Sequence, residues 1–197
     1  VGASTGGFTD CALQHGASLV YAVDVGYNQL DWKLRNDPRV IVMERTNFRY
    51  AGPDFLPGPK PTFATVDVSF ISLSLMFGPL RAILSPMGEA VVLIKPQFEA
   101  GRDKVGKAGV VRDPQTHKDV LRSVLTSAAE FEFWTKGLTY SPITGGDGNV
   151  EFLAHLTANG NDPSVLSPEA IEAAIENVVR ESSETFVSRT HPGRLPG

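Results

Sequence analysis

Four charged side chains stand where an α/β chain would place its chemistry: Asp24, Asp67, Lys95 and Glu151 each break or end an otherwise apolar run. A charge among strand-forming residues is costly unless it is paired, hydrogen-bonded or useful. An ammonium held between two carboxylates can orient a hydroxyl and stabilise the oxyanion left when the hydroxyl loses its proton. Taken singly, each residue has a plainer explanation. Lys95 reads as a surface lysine at a strand end, Glu151 as an edge-strand charge, and Asp24 as a turn or helix-capping aspartate before Gly26. The plain explanations weaken because three such interruptions recur in one short chain.

The same chain opens with a glycine-rich loop, Val1-Gly2-Ala3-Ser4-Thr5-Gly6-Gly7-Phe8-Thr9-Asp10. Residues without a Cβ let the backbone turn sharply from strand to helix and lie against a ligand. The spacing suits neither common phosphate motif. A P-loop would need a lysine where Phe8 and Thr9 stand, and Gly2, Gly6 and Gly7 do not make G-x-G-x-x-G. The loop, with Gly2, Ala3, Ser4, Gly6, Gly7 and Phe8, therefore reads as a cradle for a ribose-bearing cofactor. Asp24 and neighbouring Val25 follow the apolar run from Leu19, where a second strand would deliver a carboxylate to ribose hydroxyls. Asn47, in Glu-Arg-Thr-Asn after a third strand, could meet an adenine or serve as a turn residue. Asp67 lies on the same rim.

Those residues require an alternating scaffold. Periodicity predicts helices over 8–15, 29–35 and the stripe Leu73, Met76, Leu80 and Ile83, with Gly88 as a stop signal. Strands are expected over 19–24, 40–43, 63–70, 90–94, 131–140 and 150–156. The aliphatic run Ala90 to Ile94 suggests a strand covered on both faces. Residues 97–112 form a long glycine-bearing connection, and Asp113-Pro114 caps the next helix. A last helix follows Ser167-Pro168, fraying beyond Ser182. The domain spans 1–182, with 183–197 as a flexible tail.

Composition narrows the class. With 197 residues, 42% hydrophobic, the chain can bury one substantial core. Cys11 is the only cysteine, so no intramolecular disulfide forms, and its place in the first helix suggests inert packing. The four histidines show no metal-ligand spacing, so no metal is expected. No apolar run reaches membrane length, and the expected location is the cytoplasm. The formal net charge of −4 argues against unaided charge-driven nucleic-acid binding, although Lys95 to Arg122 holds seven bases against four acids. That zone is a candidate contact surface or an ordinary solvated face. Phe98 within it could stack on a base, with packing against the sheet as the plainer expectation.

Set together in order, Val-Asp-Val-Ser-Phe (Asp67), Ile-Lys-Pro-Gln-Phe-Glu (Lys95) and Gly-Asn-Val-Glu-Phe (Glu151) resemble three members of the Lys-Asp-Lys-Glu tetrad of FtsJ-type ribose 2′-O-methyltransferases. Gly-Ala-Ser-Thr-Gly-Gly-Phe-Thr-Asp-Cys, Glu-Arg-Thr-Asn and Lys-Pro-Gln-Phe-Glu resemble the TlyA, or hemolysin A, branch most closely. The likeness covers roughly residues 1 to 157. It implies a Rossmann-like methyltransferase fold with a mostly parallel sheet, helices on both faces and an antiparallel last strand. It also implies S-adenosylmethionine as methyl donor and ribosomal RNA, free or in subunits, as acceptor. Asp67, Lys95 and Glu151 are then the catalytic set. The tetrad's first lysine and an S4-like RNA-binding domain would lie upstream of Val1, so this stretch is expected to methylate RNA poorly. RNA contact would fall mainly to that domain and to the 97–112 connection. Alternatives are a non-catalytic cofactor or RNA-binding module, a reduced-nicotinamide enzyme with the wrong glycine spacing, and a membrane-active hemolysin, against which the missing apolar span counts.

Overall fold

The computed structural model describes residues 1–106 and 108–190, with side chains through Phe186. Lys107, one base of the expected contact zone, and residues 191–197 of the expected tail lie outside the described residues. Among the described residues six α-helices and six strands follow one another in an order typical of an α/β chain. They are α1 (Gly7–Gln14), β1 (Val20–Val23), α2 (Trp32–Arg35), β2 (Val40–Met43), β3 (Phe63–Val66), α3 (Ser74–Ile83), β4 (Glu89–Ile94), α4 (Pro96–Glu99), α5 (Pro114–Glu130), β5 (Trp134–Tyr140), β6 (Phe152–Thr157) and α6 (Pro168–Thr190).

The strands form a parallel pair, β1 with β2, and a four-stranded sheet in the order β3-β4-β6-β5. In the larger sheet β3 pairs parallel with β4, whereas β6 runs antiparallel to both β4 and β5. Only the last strand opposes the others, as the family pattern implied. Residues 1–3 join the two sheets. Gly2 and Ala3 donate backbone hydrogen bonds to Val23 O at 2.9 and 3.1 Å, and Asp67 N donates to Val1 O at 3.0 Å.

Packing follows the period-two alternation of the strands. Ala22 turns to a small core with Leu13, Leu30 and Leu34 beneath α1 and α2, while Val23 turns to the main core. α1 and α2 therefore lie on one face of the β1–β2 pair, and the main core meets the other. The main core gathers Phe77, Leu80, Val92, Ile94, Leu121, Phe152, Leu156 and Ile175, all at or near zero exposure. Each such side chain contributes roughly 1.5–3 kcal/mol by leaving water. In β4 only Ala90, Val92 and Ile94 are buried. Val91 and Leu93 are half-buried, so one face of the strand is more completely covered than the other.

Several boundaries also differ from the sequence expectation, each for a local reason. Asp31 accepts a hydrogen bond from Lys33 N at 2.8 Å and caps α2 there, which shortens the helix expected from residue 29. β3 stops at Val66 because the chain turns through Phe70, whose φ is 63°. α3 ends at Ile83, where Leu84 becomes extended, and Gly88 lies in the following turn instead of stopping the helix. The 97–112 connection is not irregular throughout, since it begins inside α4 and contains a 3₁₀ turn over Arg102–Lys104. α6 continues past Ser182 to Thr190, so the expected fraying point falls inside a helix.

Candidate active site

Asp67, Lys95 and Glu151 converge because of one topological fact. β3 and β4 run parallel, so their carboxyl ends share an edge, and Asp67 and Lys95 follow those ends directly. β6 runs the other way and starts where β4 finishes, with Phe152 paired to Ile94. Glu151 immediately precedes Phe152. None of the three interrupts a strand, as had been expected: each stands just outside one, where a charge can be met by loop groups.

Lys95 and Asp67 form a close ion pair, and Glu151 acts on it through its charge. Lys95 Nζ lies 2.6 Å from Asp67 Oδ1 and donates to Ser69 Oγ at 3.1 Å. The Lys95 side chain is only 13% exposed, so its partners matter. Asp67 Oδ1 is buried and accepts no aligned hydrogen bond, which leaves ionic attraction to Lys95 as its compensation. Burial pushes the Glu151 carboxyl above the usual range. The Lys95 charge opposes that rise, the Asp67 charge reinforces it, and a hydrogen bond from the Gln97 side chain opposes it. Gln97 Oε1 is itself buried without a partner.

The glycine loop meets this cluster directly. Gly2 has φ +73°, and a Cβ placed on it would come within 1.9 Å of Asp67 O, so no other residue fits. Gly2, Ala3, Ser4, Thr5, Gly7, Phe8, Cys11 and Asp67 line one open cleft. Cys11 is exposed there, not packed in the helix as expected. Gly6, at φ +106°, faces away, and its missing Cβ leaves room for Leu34 and Leu30. Asp24 accepts from Ser4 N and from Gly26 N, both at 2.7 Å. The carboxylate fastens the loop, and with about four lone-pair sites it keeps acceptor capacity for ribose hydroxyls. Val25 is exposed and lies outside the lining. Asn47 accepts from Arg49 N at 3.1 Å and caps a 3₁₀ turn, the turn role weighed from its sequence.

Three residues near the cluster escaped the sequence reading, although all sit in the strings that carried the family likeness. Ser69 holds the lysine. Phe70 is 90% exposed in a left-handed conformation, and its ring lies 4.8 Å from that of Phe98. Phe98, half-buried, thus has an exposed phenyl ring as a partner. Glu99 is mostly buried and accepts from Leu73 N at 2.8 Å and Ser72 Oγ at 2.7 Å. Phe70 follows Asp67 by three residues in a run that reads as strand, and nothing in the sequence marks it as exposed. No pattern in one sequence reveals a cap supplied from 26 residues away.

A glycine cradle opening onto strand-end charges defines a Rossmann-like domain built around a nucleotide-type cofactor. Within that class the chain belongs to the FtsJ-like methyltransferase family, whose model matches residues 1–158. It is 58% identical over 187 residues to YqxC of Bacillus subtilis (strain 168), named as a candidate rRNA methyltransferase, covering 94% of this chain and 66% of that protein. It is 42% identical over 180 residues to the 16S/23S rRNA (cytidine-2′-O)-methyltransferase TlyA of Mycobacterium tuberculosis (strain ATCC 25618 / H37Rv), covering 91% and 66%. A crystal structure of a Lactococcus lactis protein bearing the hemolysin name superposes with a TM-score of 0.86 at 51% identity, over 93% of this chain and 85% of that one. The chain spans about two thirds, 66%, of the length of these curated relatives. Among the described residues no helix is long and apolar enough to cross a membrane.

Proposed function

We propose that this chain is the catalytic part of an S-adenosylmethionine-dependent methyltransferase that modifies the ribose 2′-hydroxyl of ribosomal RNA. The observation that carries the reading is the 2.6 Å approach of Lys95 Nζ to Asp67 Oδ1, beside the carbonyl against which Gly2 is pressed. The cleft suits a ribose-bearing donor: Gly2 leaves no room for a side chain, Asp24 can face ribose hydroxyls, and Asp67 Oδ1 lacks an aligned donor. Bound there, S-adenosylmethionine supplies an electrophilic methyl group.

The remaining work falls to the chain's own residues, which must align a hydroxyl and manage its proton. A lysine ammonium paired with a carboxylate at 2.6 Å is a positioned positive charge and hydrogen-bond donor. Lys95 therefore orients the hydroxyl and stabilises its developing negative charge, while Asp67 and Ser69 hold the ammonium and Glu151 adds negative charge beside them. Phe70 and Phe98 offer a stacking face for the acceptor's base at the rim. The basic 97–112 connection is the proposed route for RNA, and the setting is the cytoplasm, where ribosomes are modified.

The hemolysin name supplies a rival reading, and the absence of a membrane-length helix among the described residues gives it no support. Titration with S-adenosylmethionine and transfer of labelled methyl groups to ribosomal RNA test the proposal together. Binding with 2′-O-methylation is expected of the intact protein. Neither binding nor transfer, with leakage from liposomes instead, would overturn it.

A further inference from the structure

Glu99 belongs to neither the cluster nor the cleft, yet its carboxylate is mostly buried and burial raises its pKa, so an ion there is held at a cost. Both oxygens are spent on one loop, with Oε1 accepting from Leu73 N and Oε2 from Ser72 Oγ. α3 needs that help. Its own cap residue, Leu73, offers no side-chain acceptor, and no acid occupies the first turn.

The contacts between the two loops form three rungs. Lys95 meets Asp67 and Ser69, Phe98 meets Phe70, and Glu99 meets Ser72 and Leu73. Phe70, in the middle, sits at φ 63°, a conformation that costs a non-glycine residue energy and persists only when its surroundings impose it. The inner rung is the catalytic pair, and the outer rung is the only one made of hydrogen bonds to a helix start.

We infer that Glu99 is a positioning residue that fastens the loop carrying Asp67, Ser69 and Phe70 to the turn carrying Lys95 and Phe98, and so sets the geometry in which the acceptor ribose is presented. This rests on the methyltransferase reading and adds to it a residue that touches neither donor nor acceptor. A misplacement near 1 Å can cost roughly a hundredfold in rate. Losing the outer rung should therefore show in turnover much more than in cofactor affinity.

The test compares Glu99→Ala and Glu99→Gln in the intact protein. Glutamine can keep both contacts, because its carbonyl accepts from Leu73 N and its amide can donate to Ser72 Oγ, a hydroxyl able to accept. Glu99→Ala should lower kcat on ribosomal RNA about a hundredfold while the Kd for S-adenosylmethionine changes less than about threefold, and Glu99→Gln should recover most of the loss. Independently of activity, amide hydrogen exchange in Glu99→Ala should speed up together over residues 68–73 and 97–99, with the β4–β6 amides unchanged. Normal turnover in Glu99→Ala, failure of the glutamine variant to rescue, or exchange that rises throughout the sheet would each overturn the inference. A wild-type protein that leaves ribosomal RNA unmethylated would sink the underlying reading, whereas coupled loop exchange with undisturbed turnover would sink the positioning role alone.

Discussion

The two ends of β4 carry the same chemistry and put it to different use. At the carboxyl end Lys95, 13% exposed, faces Asp67, with Glu151 close enough in charge to feel both. At the amino end Lys136, 14% exposed, lies 2.7 Å from Glu89 Oε1 and 3.0 Å from Asp162 Oδ2, while His155 Nε2 reaches Glu89 Oε2 at 2.6 Å. Around Lys136 every partner is satisfied. Its hydrogen bond to Glu89 raises its own pKa and lowers that of Glu89, and Ser164 with Lys136 holds Asp162 down at about 2. Around Lys95 the accounts stay open: Asp67 Oδ1 and Gln97 Oε1 are buried without aligned partners, and the Glu151 carboxyl is pushed up. Closed networks stabilise a fold, whereas a buried group without an aligned partner at the edge of a cleft, as Asp67 Oδ1 is, is a candidate for ligand contact.

Replacing each lysine puts that contrast at greatest risk. Lys95→Ala should cut methyl transfer by about a thousandfold with S-adenosylmethionine binding retained, and Lys136→Ala should lower the melting temperature while turnover per folded molecule stays at the wild-type level. Equal losses of turnover in both would erase the distinction between the two ends. Asp24→Ala should then weaken S-adenosylmethionine by roughly tenfold, about 1.4 kcal/mol, because Ser4 N and Gly26 N lose their shared acceptor. Calorimetric titration measures this.

The acids sharpen the comparison through pH. Glu151 has a raised pKa in the fold, so between the ordinary glutamate value near 4.3 and the raised one the folded state holds more protons than the unfolded state. Stability therefore falls as pH rises through that window. Turnover should climb over the same interval as a second carboxylate near Lys95 ionises, and Glu151→Gln should remove that acid limb from the rate profile. Glu89 behaves in the opposite sense. Its pKa is depressed chiefly by Lys136, so its contribution is present above the ordinary glutamate range and is lost as pH falls through the depressed value. Glu89→Gln should produce a small drop in melting temperature at neutral pH that disappears in acid, the mildest effect of the set.

Much of the architecture was legible because period-two and period-3.6 patterns report directly on burial. β2 and the Asp113 cap of α5 agree with the pattern residue for residue, the cap accepting from Gln115 N and Thr116 N. Errors gathered where a distant group intervenes: β3 ends early at the strained turn of Phe70, and α3 begins under a cap supplied by Glu99. The cleft residues Gly2, Ala3, Ser4, Gly7 and Phe8 were readable from loop chemistry, whereas Cys11 was not, since exposure of one helical face depends on what packs against the other.

The order of residues alone determined that this chain alternates strand and helix, that a loop without Cβ atoms opens it, and which charged side chains are too costly to be incidental. The folded arrangement supplied the partners. Lys95 and Lys136 are about equally buried and both lie beside acids, but Lys95, already marked by its strand-end string, meets Asp67 at the edge of the glycine-loop cleft, whereas Lys136 sits in a closed ion-pair network at the other end of β4. The antiparallel return of β6 sets Glu151 beside the ends of β3 and β4 and His155 near the start of β4, and a chain's long-range pairing exists only once its core has closed.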